Sequence, residues 1–186
     1  MRNITIRARI ILLISISILF SALVGGAFLY QMLALKTFSI GQTQEAMLDG
    51  QKEKLQLSVH AMALSLGEVL KESDSVAGKV ALVRKATKPI IFEADKSGYF
   101  FVYEETVNVS FPVKEESQGK DLGHLVDKNG VQIIKALAEA AKKGGGFVTY
   151  VFDKPGKGIQ PKLSYAEMIP GTNYWIGTGV YIDNIE

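Results

Sequence analysis

The chain has 186 residues, no cysteine, and 21 Lys plus Arg against 19 Asp plus Glu, a formal net charge of +2. Without cysteine there are no disulfides and no thiol chemistry. Four of the basic residues lie within the first 36, which hold no acid; the rest of the chain carries 17 basic against 19 acidic residues and offers no electrostatic case for a nucleic-acid partner.

Residues 1–9 contain Arg2, Arg7 and Arg9, and Ile10 to Leu35 is a run of 26 residues without a charge. As a helix rising about 1.5 Å per residue, this run reaches roughly 39 Å, more than the roughly 30 Å of a bilayer's hydrocarbon core. "VGGA" would suit cleavage of a signal peptide, but the apolar region of such a peptide spans about 7–15 residues. The expectation is a short cytoplasmic N-terminus (1–9) and one transmembrane helix (10–35). The positive-inside rule then puts everything after Lys36 on the outer, periplasmic side of the inner or plasma membrane.

Residues 42–72 lack proline and are rich in Ala, Leu, Glu, Lys and Gln, good helix formers. Leu48, Leu55, Val59, Met62, Leu66 and Val69 form one apolar stripe, so a long extracytoplasmic helix is expected over 36–74. In heptad register Val59 and Leu66 fall at a, with Leu48, Leu55, Met62 and Val69 at d, but Glu45 and Lys52 also fall at a. The stripe suits either a helix lying along its own domain or a homodimer seam.

A second helix is expected from Ser75, a good N-cap, to Ala94, kinked or split by Pro89. "DKSG" reads as a turn. From Tyr99 the period changes to two. "YFFVYEE" puts Tyr99, Phe101 and Tyr103 on one face and Phe100 and Val102 on the other. "TVNVSF" sets Val107, Val109 and Phe111 opposite Asn108 and Ser110, and Pro112 ends it. Val131 to Lys143 is an amphipathic helix stopped by Gly144, Gly145 and Gly146. "FVTYVFD" and a hairpin turning at "IPGTN" complete five strands with one helix after the second. This order argues an antiparallel α+β domain over 75–186.

Little in this pattern suggests catalysis. His60 and His124 stand 64 positions apart with no partner at metal-ligand spacing, and no cofactor or metal is expected. Gly144 to Gly146 leads from helix to strand, the wrong direction for a phosphate loop. The doublets Glu104–Glu105 and Glu115–Glu116 read as solvated loop charges. No nucleophile–base pair is evident, so the chain is not read as an enzyme. Binding is what remains. Lys162 follows Pro161 at the start of a strand, shares its face with Ser164, and has Tyr165 pointing the other way unless a bulge intervenes. It is either an edge charge that blunts strand pairing or a cation fixing an anion in an aromatic pocket. In the second case Tyr103 and Tyr150 could donate hydroxyls to that anion, and Phe101 and Phe111 could line its pocket.

"GYFFVYEE" (98–105), "QGKDL" (118–122), "AKKGGGFVTYVFDKPG" (141–156), "PKLSY" (161–165) and "YWIGTGVYIDNI" (174–185) together resemble the single Cache domain. This is the extracytoplasmic sensor module of bacterial chemoreceptors and sensor kinases. The resemblance implies a PAS-like fold, a five-stranded antiparallel sheet with a long N-terminal helix. It also implies a pocket for a small organic acid such as acetate, propionate, pyruvate or lactate. Lys162 and Tyr165 would anchor the carboxylate, Tyr103 and Tyr150 would be wall or donor positions, and Trp175 and Gly179 would be structural. Two positions depart from the family pattern: Phe111 stands before Pro112 where relatives often carry histidine, and "EETVN" replaces an Asp–Gly turn. The expected function is that of a membrane-anchored sensor domain for a small carboxylate. The alternative is an anchored structural or solute-binding module without its own output.

Overall fold

The structure is a computed structural model that describes residues 5–183, with the backbone alone for 34–41. Arg2, and Asn184 and Ile185 at the close of the last motif, lie outside the described residues. The chain divides into two units, Met1–Ala46 and Met47–Glu186. In the first, helix α1 (Ile6–Val69) begins. Its stretch Ile6–Leu33 is long and apolar enough to cross a membrane, and none of it is buried within the protein.

In the second unit the apolar stripe on the remainder of α1 resolves one of the two readings above. Leu55, Val59, Ala63 and Leu66, with Leu70 in the turn just after the helix, are buried against Phe100 and against Val102, Leu163 and Ile176 of the sheet, so this stripe packs on its own unit. A second copy would have to meet other residues of the helix, such as Leu57 and Leu64, which are 71% and 49% exposed. Leu66→Ala should cost about 2–5 kcal/mol in a urea melt, because the rigid sheet opposite cannot close the cavity.

Helix α2 (Val76–Thr87) starts where Ser75 Oγ accepts the Gly78 amide at 3.0 Å. It ends before Pro89, which corrects the expected run to Ala94. Ile91–Phe92 (β1) instead pairs with Gly98–Tyr99 (β2) across a turn in which Glu93 and Lys96 adopt positive φ. Lys88 still has helical dihedrals and donates its amide to the Arg84 carbonyl. Pro89, however, has no N–H to continue the ladder and its ring would meet the carbonyl four residues back, so the helix stops there.

The main sheet comprises β3 (Phe101–Glu104), β4 (Val107–Ser110), β5 (Gly146–Lys154), β6 (Gly158–Met168) and β7 (Tyr174–Tyr181). Its spatial order is β4-β3-β7-β6-β5, and every pair is antiparallel. Helices α1 and α2 cover one face. Helix α3 (Ile133–Lys142) covers the other, burying Ile133, Ile134, Leu137, Ala138 and Ala141. It stops at Gly144 and Gly145, whose φ of 95° and 102° suit only glycine.

One irregularity changes which residues face α3. Val102 pairs with Ser110 and Tyr103 with Asn108, leaving Val109 as an extra residue in β4. This bulge sends Val109 into the core beneath α1 and α2 and returns Phe111 to the α3 side. The expected grouping of Phe111 with Val109 is corrected accordingly.

Candidate functional site

The α3 face of the sheet is lined by alternate residues of each strand: Phe101 and Tyr103 on β3, Tyr150 on β5, and Lys162, Ser164 and Ala166 on β6. From β7 the same face receives Trp175, Gly177, Gly179 and Tyr181. The two glycines make room. A Cβ on Gly177 would come 2.6 Å from the Phe101 ring and 2.8 Å from the Tyr165 carbonyl, and one on Gly179 would come 2.0 Å from Ser164 Oγ. The carbonyl cannot yield without breaking the ladder, so Gly177→Ala should cost about 1–3 kcal/mol and drive the Phe101 ring toward the cavity. A chemical melt and the near-ultraviolet dichroism of Trp175 would report both changes.

Between this face and the α3 side lies a cavity of about 30 Å³. Phe101, Tyr103, Phe111 and Tyr150 line it together with Tyr99 and Phe152, and α3 and Leu125 close it above. That volume suits about two water molecules.

Lys162 lies beside the cavity wall and is 1% exposed. It occupies β6, an interior strand between β7 and β5, so the edge-charge reading does not hold. Its Nζ donates to Tyr99 Oη at 3.2 Å. The ammonium stands over three rings, 4.5 Å from the centroid of Tyr99, 4.7 Å from Tyr181 and 5.6 Å from Phe152. Among the described residues no carboxylate forms a salt bridge with it. The other buried lysine, Lys154, contrasts sharply: its Nζ donates to Asp183 Oδ1 at 2.8 Å. Burial lowers the Lys162 pKa to about 7, opposed by the more distant charge of Asp95. A cation in an aromatic box without a counter-ion is a site short of one negative charge.

The hydroxyls nearby are donors in waiting. Tyr150 Oη lies 2.9 Å from Ser164 Oγ, and burial pushes its pKa up to about 12 against that hydrogen bond. Burial raises Tyr99 and Tyr103 as well, with the Asn108 amide opposing the shift at Tyr103. All three stay protonated near neutral pH. The Tyr103 ring is stacked on Trp175 at 4.8 Å and 11°, and Trp175 Nε1 donates to the Glu105 carbonyl at 2.8 Å.

Four of the six candidate residues therefore line one cavity, Phe101, Tyr103, Phe111 and Tyr150, and a fifth, Lys162, stands behind its wall against Tyr99 and Phe152. Tyr165 does not join them. It lies three positions from Lys162 on a regular strand and so faces the α1 side, with its ring 4.8 Å from Phe147 and its hydroxyl 3.4 Å from Glu167. The sequence reading passed over Tyr99, Phe152 and Tyr181. Alternation had already put Tyr99 on the correct face, but only cross-strand register brings Phe152 and Tyr181 to Lys162. The acidic doublets lie outside the cavity, Glu105 pairing with Lys142 and Glu115 with Lys88.

The profile of the Cache domain matches residues 41–186. The chain belongs to the Cache domain family. Among curated proteins, this Cache domain chain is 29% identical over 184 residues to the sensor histidine kinase MctS of Rhizobium johnstonii, covering 97% of the chain and 40% of the relative. It is 28% identical over 202 residues to the methyl-accepting chemotaxis protein CtpM of Pseudomonas aeruginosa, covering 100% of the chain and 34% of the relative. The chain thus spans well under half the length of both. Its fold matches the crystal structure of a methyl-accepting chemotaxis protein from Vibrio parahaemolyticus with a TM-score of 0.69 and 32% identity, covering 80% of this chain and 99% of that one. It also matches, at TM-score 0.64 and 22% identity, a Cache chemosensory domain solved for its carboxylic acid recognition; 75% of this chain and 98% of that one are covered. This Cache domain is a sensor domain of the kind that chemoreceptors and sensor kinases carry.

Proposed function

We propose that this Cache domain senses a small monocarboxylate, two to four carbons long, outside the cell, anchored by the helix that begins at Ile6. The observation that carries this reading is Lys162, fully buried among rings and without an anionic partner among the described residues. A carboxylate supplies the missing charge, and its bonds to an ammonium are of the strong, charge-assisted kind. The Tyr99 and Tyr150 hydroxyls sit beside that position as further donors. The remaining walls are apolar and would take a short alkyl tail once their side chains turn to widen a cavity that holds about two waters. They offer no second cation for a dicarboxylate and no acid to pair with an α-amino group. Arg7 and Arg9 before the apolar stretch favour a cytoplasmic N-terminus and an outer sensor domain. The acid's arrival would change the packing of β6 and β7, and the signalling region that reads this change would belong to the remainder of a longer receptor or kinase.

The test is a thermal melt of the full chain in nanodiscs with acetate, propionate, pyruvate, lactate, succinate and alanine. A ligand at a hundred times its Kd adds about 2.7 kcal/mol. For a domain of this size that is a rise of roughly 5–10 °C. A rise with one or more monocarboxylates and none with succinate or alanine is expected. A flat response to every monocarboxylate would overturn the proposal.

A further inference from the structure

Lys162 is 1% exposed, so an anion can reach it only through a wall that stands closed. Eight of the ten residues lining the cavity are buried, and the two half-buried ones are Leu125 and Phe152. Both have their backbone tied. The Leu125 amide donates to the Leu122 carbonyl at 3.0 Å and its own carbonyl accepts the Ile133 amide at 3.1 Å, next to the Val126–Gln132 bridge. The strand of Phe152 is tied as well: β5 pairs with β6, and the neighbouring Val151 amide donates to Asp127 Oδ2 at 2.9 Å. Each can therefore open the wall only by turning its side chain, and of the two it is Phe152 that stands against Lys162, its ring 5.6 Å from the ammonium. The Phe152 ring meets the edge of Tyr150 at 6.1 Å and has an ammonium near each of two positions, Lys162 at 5.6 Å and Lys114 at 5.7 Å. Lys162 is buried, whereas Lys114 is exposed.

We propose that Phe152 is the gate through which the anion reaches Lys162, and that Lys114 is the cation that captures it at the mouth. This rests on the reading of Lys162 as the anion site. Each ammonium is attracted to the ring and holds it across the entrance. An anion arriving at Lys114 gives that cation a better partner than the ring and weakens its hold. The ring then turns, and the anion moves inward to Lys162, where charge and hydroxyl donors are stronger for lack of water. Lys114 thereby sets the rate of arrival, as exposed charges do, while Lys162 sets the residence time.

Two measurements on the full chain in nanodiscs test this. The first needs no ligand: the rate at which formaldehyde and a mild reductant methylate Lys162, read by mass spectrometry. Phe152→Ala should raise that rate by about tenfold or more, and Leu125→Ala by less than about twofold, because access tracks how often the wall opens. Equal rates in wild type and Phe152→Ala, or a larger effect from Leu125→Ala, would overturn the gate. The second is stopped-flow fluorescence of Trp175 with sodium propionate. Phe152→Ala should speed association and dissociation together. Lys114→Gln should slow association about threefold and flatten its salt dependence, with dissociation unchanged. An effect of Lys114→Gln on dissociation alone would remove Lys114 from the route. If propionate does not bind, the monocarboxylate that raises the melting temperature takes its place; if none does, the anion reading falls, and the methylation rates still decide whether Phe152 controls access to Lys162.

Discussion

Lys162→Met is expected to weaken carboxylate binding severely and, at neutral or lower pH, to raise the melting temperature of the ligand-free protein. The two effects have one cause. Lys162 is buried without an anion, and its folded pKa of about 7 lies well below the ordinary lysine value of 10.5. Below about pH 7 both the folded and unfolded chains hold this proton, and folding bears the full cost of burying the charge. As pH rises from about 7 toward 10.5, the unfolded chain keeps a proton the folded one lacks, so stability climbs and the cost fades by about 1.4 kcal/mol per pH unit. Methionine keeps much of the lysine stem's volume and carries no charge. It should therefore stabilise the apo protein by about 2 kcal/mol, roughly 4–8 °C, an advantage that shrinks above neutrality. Carboxylate affinity should fall by at least about thirtyfold, the usual result of removing one partner of a buried charged pair. Lys162→Arg separates charge from shape: it cannot shed its proton and is larger, so it should melt below wild type. Thermal melts of the three proteins at neutral and alkaline pH, with and without acid, check all of this. A methionine variant that melts lower than wild type and still responds to the acid would remove Lys162 from the site.

Local pattern in the sequence carried a good part of this site. Period-two alternation puts Tyr99, Phe101 and Tyr103 on one face because side chains of a strand must alternate, and the structure keeps them there. The same rule keeps Ser164 with Lys162 and puts Tyr165, which the family resemblance had joined to the lysine, on the opposite face. Ser75 and Pro89 mark the ends of α2 through chemistry that acts within a few residues. What local pattern does not contain is register. An interior and an edge strand read alike, and Lys162 changes from a surface charge to a buried one only once β7 and β5 flank β6. Tyr181 and Phe152 reach it from those neighbours. The bulge at Val109 is also non-local: it is set by how β4 pairs with β3, and it moves Phe111 to the cavity without altering the alternating sequence. The glycines of "GTG" were visible as a motif, but their purpose, room for Phe101 and Ser164, appears only with the neighbouring strands in place.

The affinity for the carboxylate is expected to fall about tenfold for each pH unit above about 7, reaching roughly a hundredfold loss by pH 9. The argument runs through the groups that face the ligand. The acid must meet an ammonium, and the free protein releases that proton with a pKa of about 7. In the complex the carboxylate favours the charged form, so binding above neutrality must take up a proton, and the free energy of that uptake weakens binding as pH rises. Below pH 7 the lysine is already charged and affinity should level off. Other titrations near the cavity fall outside this window. Burial raises Tyr99, Tyr150 and Tyr181 above the ordinary tyrosine range, so their hydroxyls remain donors throughout. Asp95, whose charge acts on Lys162 from a distance, has its pKa lowered, first by its hydrogen bond with Ser97, and stays ionised. A single slope should therefore describe the curve. Isothermal calorimetry with propionate at several pH values, repeated in buffers of different ionisation heat, reads both the affinity and the protons taken up. Uptake should approach one proton per site by about pH 9. A constant affinity between pH 7 and 9 with no proton uptake would mean that the anion is held by the hydroxyls alone, and that the charge on Lys162 plays no part in binding.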